Sequence, residues 1–146
     1  MPRIERSADV SWEGNVARGQ GLISAETGAF SELPFSLPTR ISKVDGKTSP
    51  EELLAAAHAG CLTMSLATEL TEAGTPPTRL DVTCTIVMDE VEGQGHQIVG
   101  SNVTISATAD GVSDDDLAGA IGRADEGCPF SQLLKRAGAA VVVTRA

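Results

Sequence analysis

Between Leu53 and Thr68 the chain carries no Asp, Glu, Lys or Arg, and most of its residues are small: Ala55, Ala56, Ala57, Ala59, Gly60 and Ala67. The stretch opens as a helix does. Ser49 can cap it, Pro50 suits the first helical position, and Glu52 follows Ser49 by three residues, as a capping box requires. Gly74 and Pro76-Pro77 end it after about Glu72. A helix that is apolar all round is expected to be buried. The charge-free run is shorter than the about 20 residues of a membrane span, so a protein core is the expected home.

The pattern on either side is mostly of strands. Residues 8–12 and 16–25 predict two strands joined by a tight turn at Glu13-Gly14-Asn15. Gly19 and Gly21 weaken the second strand or mark a bulge or close approach. A third extended piece covers about Phe30 to Arg40, where Pro34 and Pro38 allow only an edge strand or loop. Val44 to Lys47 is a turn. Beyond the helix, Leu80 to Val91 alternates, with Val82, Cys84, Ile86 and Met88 on one face. His96 to Ala109 alternates too, with Val99, Val103, Ile105 and Ala107 together, so the two predict a long antiparallel hairpin. Ser113 caps a helix rich in acids at its positive end, running to about Glu126. Cys128-Pro129 starts another, ending at Gly138, and Ala139 to Thr144 is a last strand. This order predicts an α+β fold, a largely antiparallel sheet packed on a central buried helix, in a single domain over 1–146.

Composition narrows the function. Net charge is −9 and the sequence pI about 4.6, and an acidic surface repels phosphate backbones, so no nucleic acid is expected. No basic amphipathic stretch suggests a membrane surface. The N-terminal MPRIERSADV lacks an apolar signal core, and the expectation is a cytoplasmic protein. Aromatic residues are only 3% of the chain, so the core must rest on Val, Ile, Leu and Ala. Three cysteines in a reducing compartment do not make a disulfide framework; a disulfide here would be transient and catalytic.

The three thiols differ. Cys61 sits mid-helix, where a cysteine is ordinarily a small hydrophobe with an inert thiol; to react, it needs a cation that holds the thiolate. Cys128, before Pro129, falls at a helix N-cap, where free N–H groups and the dipole favour a thiolate; it is either a neutral cap or a reactive group. Cys84, in an alternating strand, is core filler. No CxxC pair is present, and the cysteines with His58 and His96 lack the spacing of a structural zinc site, so no metal is expected. His58 stands three residues before Cys61, so a Cys–His dyad for acyl transfer is conceivable.

Taken together, SPEELLAAAHAGCLTMSL and CPFSQLLK resemble the OsmC/Ohr family of thiol-dependent hydroperoxide reductases, and the separation of the two cysteines suits that family. The order of elements matches its fold along nearly the whole chain. WEG at Trp12 to Gly14, LPTR at Leu37 to Arg40 and AAHAGC at Ala56 to Cys61 resemble the OsmC branch more than the Ohr branch. The resemblance implies reduction of organic hydroperoxides in preference to hydrogen peroxide, an intertwined homodimer with active sites at the subunit interface, an external dithiol reductant of lipoyl type, and no metal or organic cofactor. It implies Cys61 as the peroxidatic cysteine and Cys128 as the resolving one. Glu51 in PEE matches the active-site glutamate. Arg40 in LPTR matches the OsmC-type arginine, in preference to Arg18 in VARGQG, near the position from which Ohr-type proteins take theirs. Leu54, Met64, Phe130 and Leu133 are candidates for an aliphatic lining, or for ordinary core. A non-catalytic stress or small-molecule binding protein of the same fold is the alternative.

Overall fold

The computed structural model describes residues 2–146, which divide into two compact units, one up to Leu53 and one from Leu54. In the first unit, strands β1 (Ala8–Glu13), β2 (Gln20–Ala25) and β3 (Leu33–Phe35) form an antiparallel sheet in that order. β2 begins at Gln20, later than its apolar pattern suggests, because residues 14–19 are held as a loop by side chains. Asn15 Oδ1 accepts from the N–H groups of Ala17 and Arg18, and Trp12 Nε1 donates to the Gly14 carbonyl at 2.8 Å. Gly21 marks a close approach and not a bulge: it pairs in register with Trp12 and Phe35, and a Cβ there would run into the Phe35 ring.

The extended reading of residues 37–40 is corrected. Leu37–Ile41 is a short helix, α1, with Ser36 as N-cap. Ser36 and Thr39 form a reciprocal capping box, and Pro38 lies in the first turn, where its missing N–H leaves no bond unmade. The capping box sits where the two prolines suggest only breaks.

Helix α2 (Pro50–Glu72) follows, begun by a hydrogen bond from the Glu52 N–H to Ser49 Oγ. In the second unit it is joined by strands β4 (Pro77–Val91) and β5 (Gly95–Ala109), helices α3 (Asp114–Gly127) and α4 (Pro129–Arg136), and strand β6 (Ala140–Arg145). β4 and β5 form the long antiparallel hairpin expected, but β6 lies parallel to β5, giving a second three-stranded sheet in the order β4-β5-β6. The chain is α+β, with two three-stranded sheets where one was expected.

α2 departs from the expectation in a way that matters for the site. Only one stripe of it is buried: His58, Leu62, Leu66 and Leu70, at a spacing of four residues. The three leucines pack with Val103 and Ile105 of β5 and Leu117 of α3 into one core, each stabilising the fold by about 1.5–3 kcal/mol relative to exposure. The rest of the helix is half-buried or exposed, and Met64 is 73% exposed. At 23 residues α2 is also long and apolar enough to cross a bilayer, so length does not exclude a span. Its leucine stripe in the core of the second unit marks it as a core helix.

Candidate functional site

Two side-chain groups gather the residues singled out by sequence, one in each unit. In the second unit, Cys128 is at once the last cap of α3 and the N-cap of α4. Its sulfur makes no capping bond and is fully buried. Cys61 on α2 is near enough for Cys128 and the backbone N–H of Phe130, in the first turn of α4, to act on its thiol. Both cysteines are free thiols. Burial pushes the Cys61 thiol above its ordinary pKa, the neighbouring Cys128 pushes the same way, and the Phe130 amide opposes them. Within this unit the amide at the positive end of α4 is thus the one group that favours the Cys61 thiolate.

In the first unit, Arg40 at the end of α1 meets Glu51 in the first turn of α2. Arg40 Nε and Nη2 both donate to Glu51 Oε1, at 2.8 and 2.6 Å. Burial pushes Glu51 up, but the hydrogen bonds from Arg40, the backbone N–H and Ser49, with the Arg40 charge, outweigh it and hold the carboxyl below its ordinary value. The same bond raises Arg40. The guanidinium grips one oxygen, not the two-oxygen fork common for this pair. Glu51 Oε2 is buried with no hydrogen-bond partner among the described residues. Arg18, by contrast, is exposed and forms no ion pair among the described residues.

His58 overturns the acyl-transfer dyad. It is fully buried, and both ring nitrogens are taken: Nδ1 lies 2.7 Å from Ser101 Oγ on β5, and Nε2 lies 2.7 Å from Ser131 Oγ on α4. Neither nitrogen is left to serve Cys61. Ser101 also lies 3.2 Å from the Cys84 sulfur, which packs half-buried against the core as filler does. Sequence reasoning missed both serines, 43 and 73 positions from His58, because no local pattern links them. Of the four candidate lining residues, Phe130 packs against the core, while Met64 and Leu133 are 73% and 59% exposed. Among the described residues no group of three or more His, Cys, Asp or Glu could hold a metal.

Burial pushes the His58 pKa down; Asp125 pulls it up and Lys135 pushes it down again, with a net lowering. The sign follows. Between the folded value and the unfolded one near 6.5, the unfolded chain binds more protons, so this stability is present above about 6.5 and is lost as pH falls through the folded value. Thermal melts are expected to show Tm falling from pH 7.5 to pH 5. His58→Gln should flatten part of that slope, and an unchanged slope would remove His58 as its source.

A profile of the OsmC-like protein family matches residues 43–143. The chain belongs to this OsmC-like family. It is 37% identical over 132 residues to peroxiredoxin OsmC of Escherichia coli, covering 90% of this chain and 91% of that one. It is 30% identical over 104 residues to the organic hydroperoxide resistance protein OhrA of Bacillus subtilis, covering 69% and 71%. Solved structures carry the same fold. An OsmC-like protein of unknown function from Vibrio cholerae superposes with a TM-score of 0.79 at 14% identity, over 99% of this chain and 100% of that one. OhrB of Bacillus subtilis superposes with a TM-score of 0.73 at 20% identity, over 96% and 98%. At these identities the structures speak for the OsmC-like fold alone. The family profile spans Glu51, Cys61 and Cys128, and Arg40 lies just ahead of it.

Proposed function

We propose that the protein is a thiol peroxidase that reduces organic hydroperoxides to alcohols. The observation that carries this is the pair of free thiols, Cys61 on α2 and Cys128 at the start of α4, near enough for Cys128 to act on the Cys61 thiol. Its membership of the OsmC-like family, and relatives named peroxiredoxin and organic hydroperoxide resistance protein, support it.

The Cys61 thiolate attacks the terminal oxygen of the hydroperoxide. An S–O bond forms, the O–O bond breaks, and the alkoxide leaves with a proton as the alcohol, so Cys61 becomes a sulfenic acid. The Cys128 sulfur then attacks the Cys61 sulfur. The disulfide forms, and hydroxide leaves with the Cys128 proton as water. An external dithiol, of lipoyl type by the family resemblance, restores both thiols by exchange. No cofactor enters this cycle.

Burial makes a bare thiolate at Cys61 costly, so the first step needs a cation. The family resemblance gives that part to Arg40. Glu51 holds its guanidinium through Nε and Nη2. Glu51 Oε2 is a buried acceptor with no hydrogen-bond partner among the described residues, a cost of about 1–3 kcal/mol.

The working unit is a homodimer. Apolar side chains stand uncovered in both units, Ile41 at 75% and Val10 at 60% in the first, Met64 and Leu133 in the second. In a dimer, Met64 and Leu133 would close an aliphatic wall around the thiols, suited to alkyl or lipid-derived hydroperoxides.

The test is stoichiometric. One equivalent of cumene hydroperoxide added to the reduced protein should remove two thiols per chain and leave no adduct in the intact mass. Unchanged thiols would end the proposal. Cys128→Ser should complete the first step only, leaving a sulfenic acid at Cys61 that dimedone traps. No dimedone adduct would reverse the roles given to the two cysteines.

A further inference from the structure

The second unit holds one buried polar assembly that the thiol chemistry does not use. His58 is wholly enclosed, and so are the two hydroxyls that flank it, Ser101 and Ser131. The three side chains come from three elements, α2, β5 and α4, and both contacts are 2.7 Å long. A neutral imidazole has one N–H and one lone pair, and a hydroxyl can both give and accept, so the whole row can be satisfied in a single direction. Cys84 extends it: its sulfur lies 3.2 Å from Ser101 Oγ and 3.8 Å from His58 Nδ1. Buried polar rows of this kind rigidify what they join when every member is satisfied.

What this row joins is specific. Ser131 directly follows Phe130, whose backbone N–H acts on the Cys61 thiol, and it lies one turn after Cys128. His58 lies one turn before Cys61 on α2. The bond from His58 to Ser131 therefore ties together the two helix turns that carry the thiols, and the bond to Ser101 anchors that tie to β5. The outer side of α4 is held separately, by Lys135 to Asp125 of α3 at 2.6 Å and by Gln132 Nε2 to the Glu126 carbonyl. Asp125 and Lys135 are also the charged groups that act on His58.

We propose that His58 is a positioning residue for the thiol pair: by bridging Ser101 and Ser131 it fixes the first turn of α4 against α2, and so holds Cys128 and the Phe130 amide on Cys61. The inference rests on the peroxidase assignment for its meaning, but its geometry can be tested without peroxide. Closure of the Cys61–Cys128 disulfide by diamide needs no peroxidase activity, since the first thiol adds to the diazene and the second displaces the hydrazine. Ser131→Ala removes the hydroxyl that ties α4 to His58 and leaves both cysteines in the chain. It is expected to slow diamide closure roughly 10- to 100-fold, the scale of a misplacement near 1 Å. It should also move the pH midpoint of Cys61 alkylation upward as the Phe130 amide drifts from the sulfur. Ser131→Thr keeps the hydroxyl and should restore both to near the wild-type values. His58→Gln provides the second variant, and it should show the same two changes.

Wild-type closure and alkylation in both Ser131→Ala and His58→Gln would overturn the inference. So would loss of thermal stability in these variants with closure unchanged, which would make the row structural only. If wild-type protein ignores cumene hydroperoxide yet Ser131→Ala slows diamide closure, the peroxidase assignment fails and the positioning role stands.

Discussion

Replacing Cys61 by serine is expected to abolish peroxide consumption, lowering the rate by roughly 10⁴-fold or more, because a hydroxyl stays protonated at neutral pH where a thiol can ionise. The geometry makes the test a clean one. Cys61 is half-buried on a helix whose leucine stripe, and not the thiol, fills the core. Exchange of sulfur for oxygen there should leave the fold in place, and circular dichroism with a thermal melt checks that it does. The decisive comparison is with Cys84→Ser. Cys84 contacts Ser101 but serves no step of the cycle, and burial pushes its pKa up, away from reactivity. That variant should keep turnover close to wild type. If Cys61→Ser consumes cumene hydroperoxide at a wild-type rate, or Cys84→Ser loses most of it, the reactive sulfur has been misassigned.

How far the sequence carries depends on the range of each interaction. The hairpin of β4 and β5 was legible because its alternation runs the length of both strands and the glycines at 93 and 95 adopt positive φ in the turn between them. α2 was legible from Ser49, Pro50 and Glu52, and the place of Cys128 at a helix start from Pro129 alone. α1 was not: Pro34 and Pro38 read as breaks, and only the folded chain brings Thr39 back onto Ser36. The division into two three-stranded sheets was not legible either, since strand alternation says which face is apolar and not which strand lies alongside. Nor does an all-apolar helix say what covers it. α2 buries one stripe within the chain and leaves Met64 open, which composition cannot distinguish from full burial. For the site, Cys61, Cys128, Glu51 and Arg40 came from motif resemblance; the fold brings Cys128 near enough to act on Cys61, and a hydrogen bond pairs Arg40 with Glu51. The Ser101–His58–Ser131 row had no sequence signal, because serines that far apart meet only through the fold.

If Arg40 holds the Cys61 thiolate, as the family resemblance implies, Arg40→Ala is expected to raise the pH midpoint of Cys61 alkylation, by about 1–3 for the loss of a neighbouring opposite charge. At neutral pH the thiolate fraction, and with it the rate of peroxide attack, would fall by roughly 10- to 1000-fold. Arg40 and not Arg18 should carry this effect. Glu51 fixes the Arg40 guanidinium through two N–H groups, whereas Arg18 is held through its backbone N–H, by Asn15, and its side chain is left in solvent. A fixed guanidinium is worth more to a thiolate than a mobile one, because less side-chain freedom is lost when the bonds to sulfur and peroxide form. Glu51→Gln should move the midpoint the same way by a smaller amount, since it loosens the guanidinium without removing its charge. The measurement is iodoacetamide alkylation of Cys61 across pH, read by mass, for Arg40→Ala, Arg18→Ala and Glu51→Gln beside wild type. A shift confined to Arg18→Ala would transfer the role to Arg18. Equal midpoints in all four proteins would mean that the α4 amide alone holds the thiolate.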